Sequence, residues 1–207
     1  LAAALGMTPA SVAAAGAAGA IEAEAVAQKL WWTKVLKEDP LRVVRVLRFA
    51  AKLDFALHDA FWAVAPFALH KLRVRVAGSR KLMELLKIAK YSNAKLCSFM
   101  RLTFGRRLAG AAGGGGEPPA FSDGVLAPAV FGGQDQNGVA HSLPDIDAFD
   151  EDGFDAICAA VADFLAAFGA GGDAPAAGLI PEEALGIHLA AAVACSSMPP
   201  PSPADAE

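Results

Sequence analysis

The residues whose types and spacing could do chemistry are concentrated in one stretch, Glu38-Asp39-Pro40-Leu41-Arg42-Val43-Val44-Arg45-Val46-Leu47-Arg48-Phe49-Ala50-Ala51-Lys52-Leu53. A carboxylate only accepts hydrogen bonds and a guanidinium only donates them. Asp39 and Arg42, held side by side as i and i+3 at a helix start, would therefore present an acceptor next to a donor. Cytosine (N4 amine, N3) and adenine (N6 amine, N1) both offer the matching donor–acceptor edge, whereas uracil and guanine mismatch it. Glu38 could hold the arginine fork in plane through a charge-assisted bond. The plain alternative is that Asp39 caps a helix and Arg42 pairs with Glu38, and the residues alone weigh the two evenly.

The element that must position these groups is a helix with Asp39 as cap and Pro40 at its first position. Helical geometry then places Arg42, Arg45, Arg48 and Lys52 within about 120° of arc. Val43, Val44, Val46, Leu47, Phe49, Ala50, Ala51 and Leu53 fill the rest of the circumference, which predicts burial on most sides and one cationic face toward a ligand cleft.

All 18 Lys and Arg lie between Lys29 and Arg107, against five acids there (Glu38, Asp39, Asp54, Asp59, Glu84), which leaves +13 in a chain of net charge −4. A basic block followed by an acidic remainder predicts a polyanionic partner, with nucleic acid the first candidate; neutralisation of the block by the acidic tail is the plain alternative. Apolar residues make up 55 % of the chain, but much of that is alanine, which buries little area per residue. No apolar run reaches the roughly 20 residues of a membrane span, so no membrane association is expected. The run before Gln28 lacks Arg and carries Glu22 and Glu24, which fits neither a transit peptide nor a secretory signal. Its opening on Leu1 reads as a fragment or a processed product. Cys97, Cys158 and Cys195 form neither a metal-type spacing nor an even disulfide set, which predicts an intracellular, reducing compartment such as cytoplasm, nucleus or organelle. No metal ligand is predicted: His58 and His70 have no partnering Cys or acidic pattern nearby.

Along the chain, residues 1–28 read as a low-complexity Ala-rich segment, 29–107 as a basic helical region, 108–150 as a Gly/Pro-rich acidic linker or insertion, 151–198 as a further helical segment and 199–207 as a disordered tail. Trp31 and Trp32 could stack on bases, although paired tryptophans beside apolar residues are more often core. His58-Asp59 predicts a helix start and Pro66 a stop. Lys71 to Val76 alternates with period two and by itself reads as a strand. Ser79 is expected to cap a helix from Arg80 to about Lys90, and Ser92 or Asn93 the next one, to Gly105. The four glycines at 113–116 lack the Gly-Lys-Ser/Thr of a phosphate loop and read as linker. Asp145 to Asp152 fails as a calcium loop because Phe149 stands at its fifth position; a solvated loop capping the following helix is expected instead. In that helix Phe154, Ile157, Val161, Phe164, Leu165 and Phe168 recur at helical spacing and read as core. Pro181-Glu182-Glu183 opens a last helix to about Cys195. Short helices in series without convincing strands predict an all-α fold.

Glu38, Asp39 and Arg42, continuing through Arg48-Phe49-Ala50 and Leu53-Asp54-Phe55, resemble the nucleotide-selecting motif of the class II CCA-adding tRNA nucleotidyltransferases and bacterial poly(A) polymerases. A second stretch resembles the segment joining two helices of that family's neck. It runs from Lys71 to Glu84, with Arg80 and Glu84 matching, while Ala77 and Ser79 stand where Ser and Glu are usual. The resemblance covers about Lys34 to Arg107, with a fainter echo in Leu185 to Ala194. It implies a neck/body-type helical array, a helix end and turn at Lys71 to Val76 in place of a strand, and partners in CTP, ATP and the 3′ end of tRNA or other RNA. On that basis Glu38, Asp39, Arg42 and Arg45 are nucleotide-binding candidates, and Arg48, Lys52, Lys71, Arg73, Arg75, Arg80 and Lys81 are RNA-binding candidates. The family's catalytic head, with a Gly-rich strand turn and an Asp-x-Asp pair for Mg2+, has no counterpart before residue 34. No catalytic residue and no cofactor bound by the chain itself are therefore expected, and Mg2+ is expected only in a missing N-terminal catalytic domain. The resemblance implies base selection and RNA binding for CCA or poly(A) addition; the alternative is a non-catalytic RNA-binding or scaffold protein, such as a ribonucleoprotein subunit, derived from that family.

Overall fold

Apolar residues at helical spacing dictate nine α-helices among the described residues, which in this computed structural model are 20–105, 126–134, 140–141, 143, 146, 148–167 and 179–197. These are α1 (Ala20–Glu38), α2 (Leu41–Leu53), α3 (Asp59–Val64), α4 (Pro66–Arg75), α5 (Gly78–Ala89), α6 (Asn93–Met100), α7 (Ala127–Phe131), α8 (Glu151–Ala167) and α9 (Pro181–Ala194). One turn of π-helix, Arg101–Gly105, extends α6. Among the described residues strand is confined to two antiparallel two-residue ladders, β1 (Gly133–Gln134) with β2 (Ala140–His141) and β3 (Ala148–Phe149) with β4 (Ser196–Ser197). The fold is all-α.

Helix α2 is the central element, packed between α5 and α6, with α9 laid across both of those; α1 packs on α3 and α4, and α7 covers α4. Val43, Val44 and Leu47 of α2 are fully buried with Leu36, Leu72, Ile88, Leu96, Phe99 and Phe154 in one continuous core. That core ignores the sequence segments. Leu185 and Ala192 of α9 belong to it, and so do Leu126, Ala127 and Val130 from the stretch read as linker.

Several local expectations are met by identifiable contacts. His58 caps α3, its Nδ1 accepting from the Ala60 N–H at 3.1 Å, and Pro66 ends that helix by opening the next. Ser92 caps α6 through the Lys95 N–H, and Asp150 receives the Gly153 N–H at the start of α8. Asp54 ends α2 in the left-handed region at φ 55°, its N–H returning to the Ala50 carbonyl.

Others are corrected. The period-two run Lys71 to Val76 is helix α4 up to Arg75, because Leu72 reaches the core from a helical position and the chain turns only at Val76. Asp39 does not cap α2; Pro40 takes the N-cap position without a side-chain bond, and Asp39 faces arginines instead. Ser79 lies inside α5, which begins at Gly78. Trp31 is 58 % exposed, and Phe49 and Leu53 of α2 are about half exposed, at 47 % and 48 %. In α8 only Phe154 is buried; Ile157 and Phe164 face outward because α8 packs along a single edge against α6 and α9. The Ala-rich run before residue 20, the glycines at 113–116, Asp145, Asp147, Phe168 and residues 199–207 lie outside the described residues.

Candidate nucleotide and RNA interface

The break between α1 and α2 sets the geometry of the candidate base reader. Pro40 has no N–H, so the hydrogen-bond ladder of α1 cannot run on unbroken and Asp39 is left at the corner. Asp39 Oδ2 lies 3.8 Å from Arg42 Nε and 3.5 Å from Arg45 Nη1, and these side chains are partly exposed. Arg42 Nη1 donates to the Val35 carbonyl at 3.0 Å, which ties the guanidinium back onto α1. A carboxylate and a guanidinium thus stand adjacent at a solvent-facing corner. Glu38 does not hold the Arg42 fork; it points the other way, 3.9 Å from Lys34.

Two more members of the cationic stripe, Arg45 and Arg48, converge on one acid. Glu84 of α5 is 4 % exposed and receives Arg45 at 3.2 Å, Arg48 at 3.1 Å and Lys87 at 3.0 Å. Burial alone would raise its pKa, but hydrogen bonds from Lys87 and Arg45 and the charges of Lys87 and Arg48 hold it below the usual carboxylate value. The approach of Arg48 Nε is an ion pair outside hydrogen-bond geometry. Arg48 is itself 8 % exposed, and its guanidinium braces α2 against α5, with its face over the Phe49 ring. Lys52 Nζ donates to the Tyr91 hydroxyl at 2.5 Å and lies over that ring.

Lys81 is buried as well. It is 2 % exposed, its Nζ donating to the carbonyls of Ala129 (3.1 Å) and Gly132, so α7 and its following loop close over it. Burial, with the charge of Arg73 nearby, lowers its pKa to about 8. Lys71 bonds the Lys37 carbonyl at 3.3 Å. Arg75 and Arg80 are exposed at the α4–α5 turn beside half-buried Arg73, and none of these three has an acid partner among the described residues.

Three further features were not legible in the sequence. A cleft of about 650 Å³ opens at the far end of α2 from Asp39, between Asp54, Phe55, Trp62, Arg101 and Glu151. Arg101 beside it is held by Asp155, at 2.6 Å from Nη2 and 2.7 Å from Nε. Cys97, Cys158 and His188, from α6, α8 and α9, bring their donor atoms within 4.8 Å of one another. Their wide separation along the chain hides this grouping; the available hint was that His188 repeats the buried spacing of Ala184, Leu185, Ala191 and Ala192. Among the described residues no donor set suits the Mg2+ implied by the resemblance, since thiols and imidazole favour softer metals than Mg2+.

No protein-family model, curated protein or solved structure matches the chain. No helix among the described residues is long and apolar enough to cross a membrane.

Proposed function

We propose that the chain contributes base selection and RNA binding to CCA or poly(A) 3′-end addition, as the neck and part of the body of a tRNA nucleotidyltransferase-like protein. The observation that carries this reading is the Asp39–Arg42 corner. A partly exposed carboxylate and guanidinium stand side by side there, the acceptor and donor that would meet the edge shared by cytosine and adenine. Glu84, which matches the neck segment, supports it by joining α5 to the helix that carries the corner. Lys71, Arg73, Arg75 and Arg80 supply cations for the RNA backbone at the α4–α5 turn, and the transfer step itself falls to a catalytic domain that binds Mg2+. The test is nucleotide incorporation by the intact protein carrying Arg42→Ala. Discrimination of CTP and ATP against UTP and GTP should be abolished while tRNA affinity stays nearly unchanged. Loss of tRNA binding with normal selectivity would sink the assignment. Salt-dependent tRNA binding with no nucleotide selectivity in the native protein would instead establish the scaffold reading.

A further inference from the structure

Independently of the base-reading corner, we propose that Cys97, Cys158 and His188 form a site for a divalent d-block cation of the zinc class that clamps α6, α8 and α9 together. The geometry begins with His188, which is 2 % exposed. Its Nδ1 lies 2.8 Å from the Ala184 carbonyl, an oxygen that can only accept, so Nδ1 carries the proton and Nε2 presents its lone pair. Nε2 is buried and has no hydrogen-bond partner among the described residues. A buried acceptor left without a partner is costly to the fold unless something occupies it. A backbone-anchored imidazole with the opposite nitrogen free is the arrangement by which protein scaffolds orient metal-bound histidines.

Two thiols stand where that lone pair leads. Tetrahedral zinc, with Zn–S of about 2.3 Å and Zn–N of about 2.0 Å, sets its donors roughly 3.5–3.8 Å apart. The three donor atoms here lie within 4.8 Å of one another, so small side-chain rotations close the set. Burial pushes the Cys97 and Cys158 thiols up and the His188 imidazole down, so without metal all three are neutral near pH 7. Binding would release the two thiol protons to solvent, and the resulting pair of thiolates balances the 2+ charge. A water would complete the tetrahedron. The fold gains from such a clamp, because Phe154 is the one buried residue of α8 and the Arg101–Asp155 pair that also ties this helix to α6 is partly exposed.

Titration of the full chain with Co2+ under a phosphine reductant reads the site directly. One equivalent should give a thiolate-to-cobalt charge-transfer band together with the intense visible bands of tetrahedral coordination, and Zn2+ should displace it. Cys158→Ser, at a half-buried position that keeps the fold, should lose the site's bands, as should His188→Ala with helix content checked by circular dichroism. Cys195→Ser should retain them. The melting temperature should rise with Zn2+ and fall back on chelation. A folded chain without these bands, bands that persist in Cys158→Ser, or bands lost only in Cys195→Ser would overturn the assignment.

Discussion

The cationic face of α2 and the Cys–His cluster behind α6 differ in how far the protein satisfies its own polar groups. At α2, Glu84 of α5 takes Arg45 and Arg48 together with its own neighbour Lys87, while the Asp39–Arg42 pair at the helix start stays partly exposed. In the cluster, the His188 Nε2 is shut away from water with no partner among the described residues. A charged stripe in sequence therefore need not be a binding face, because one buried acid can turn most of it into bracing. A scattered Cys–Cys–His set with no sequence signature can still leave a vacant donor where a ligand fits.

The largest effect that would break this comparison is at Glu84. Removing one member of a buried charge cluster leaves the others uncompensated, so Glu84→Ala should destabilise the fold by about 3–5 kcal/mol in urea unfolding. A loss below 1 kcal/mol would show that Arg48 reaches water without it. Since the Glu84 pKa is lowered, its contribution is present above the ordinary carboxylate value of 4.5 and is lost as pH falls through the folded value. Glu84→Gln should flatten that part of the acid-unfolding curve.

Lys81 gives a smaller effect of the same sign in pH, in an alkaline window rather than an acid one. Its pKa falls from 10.5 to about 8, so between those values the unfolded chain binds more protons than the folded one. Stability should therefore rise with pH across that window, by an amount on the order of 3 kcal/mol at most. Measuring the native chain against Lys81→Met from pH 7 to 10.5 isolates this contribution from the other lysines. A difference that stays constant with pH would place the ammonium in water.

Helix positions were legible where the apolar period was strong and a breaker marked each end. Pro40, His58-Asp59, Pro66, Ser92 and Pro181 all lie at or beside observed boundaries. The period-two reading of Lys71 to Val76 failed because six residues cannot distinguish a strand from a helix end that buries Leu72 and, four residues on, Val76. Burial was less legible than secondary structure, since it depends on which faces find partners. The same apolar spacing is sunk in α2 and left half exposed in α8, and Lys81 is covered by α7, a segment some fifty residues later along the chain, for which composition suggested a linker. The Asp39–Arg42 pair was readable because i and i+3 are neighbours in any helix start. The Cys97–Cys158–His188 cluster was not, because it exists only after three separate helices have packed.

The smallest expected effect, and the sharpest contrast with Glu84, lies at the α4–α5 turn. Arg75 and Arg80 are exposed and have no acid partner among the described residues, so Arg75→Ala and Arg80→Ala should each change stability by no more than about 0.5 kcal/mol. If they meet RNA phosphates, each should lower the slope of log affinity for tRNA against log salt by about 0.7–0.9. Arg48→Ala should behave in the reverse way, costing stability through Glu84 while leaving the slope unchanged, because its charge is already spent inside the protein. An Arg48→Ala slope that falls as far as that of Arg80→Ala would mean that RNA draws Arg48 away from Glu84 on binding.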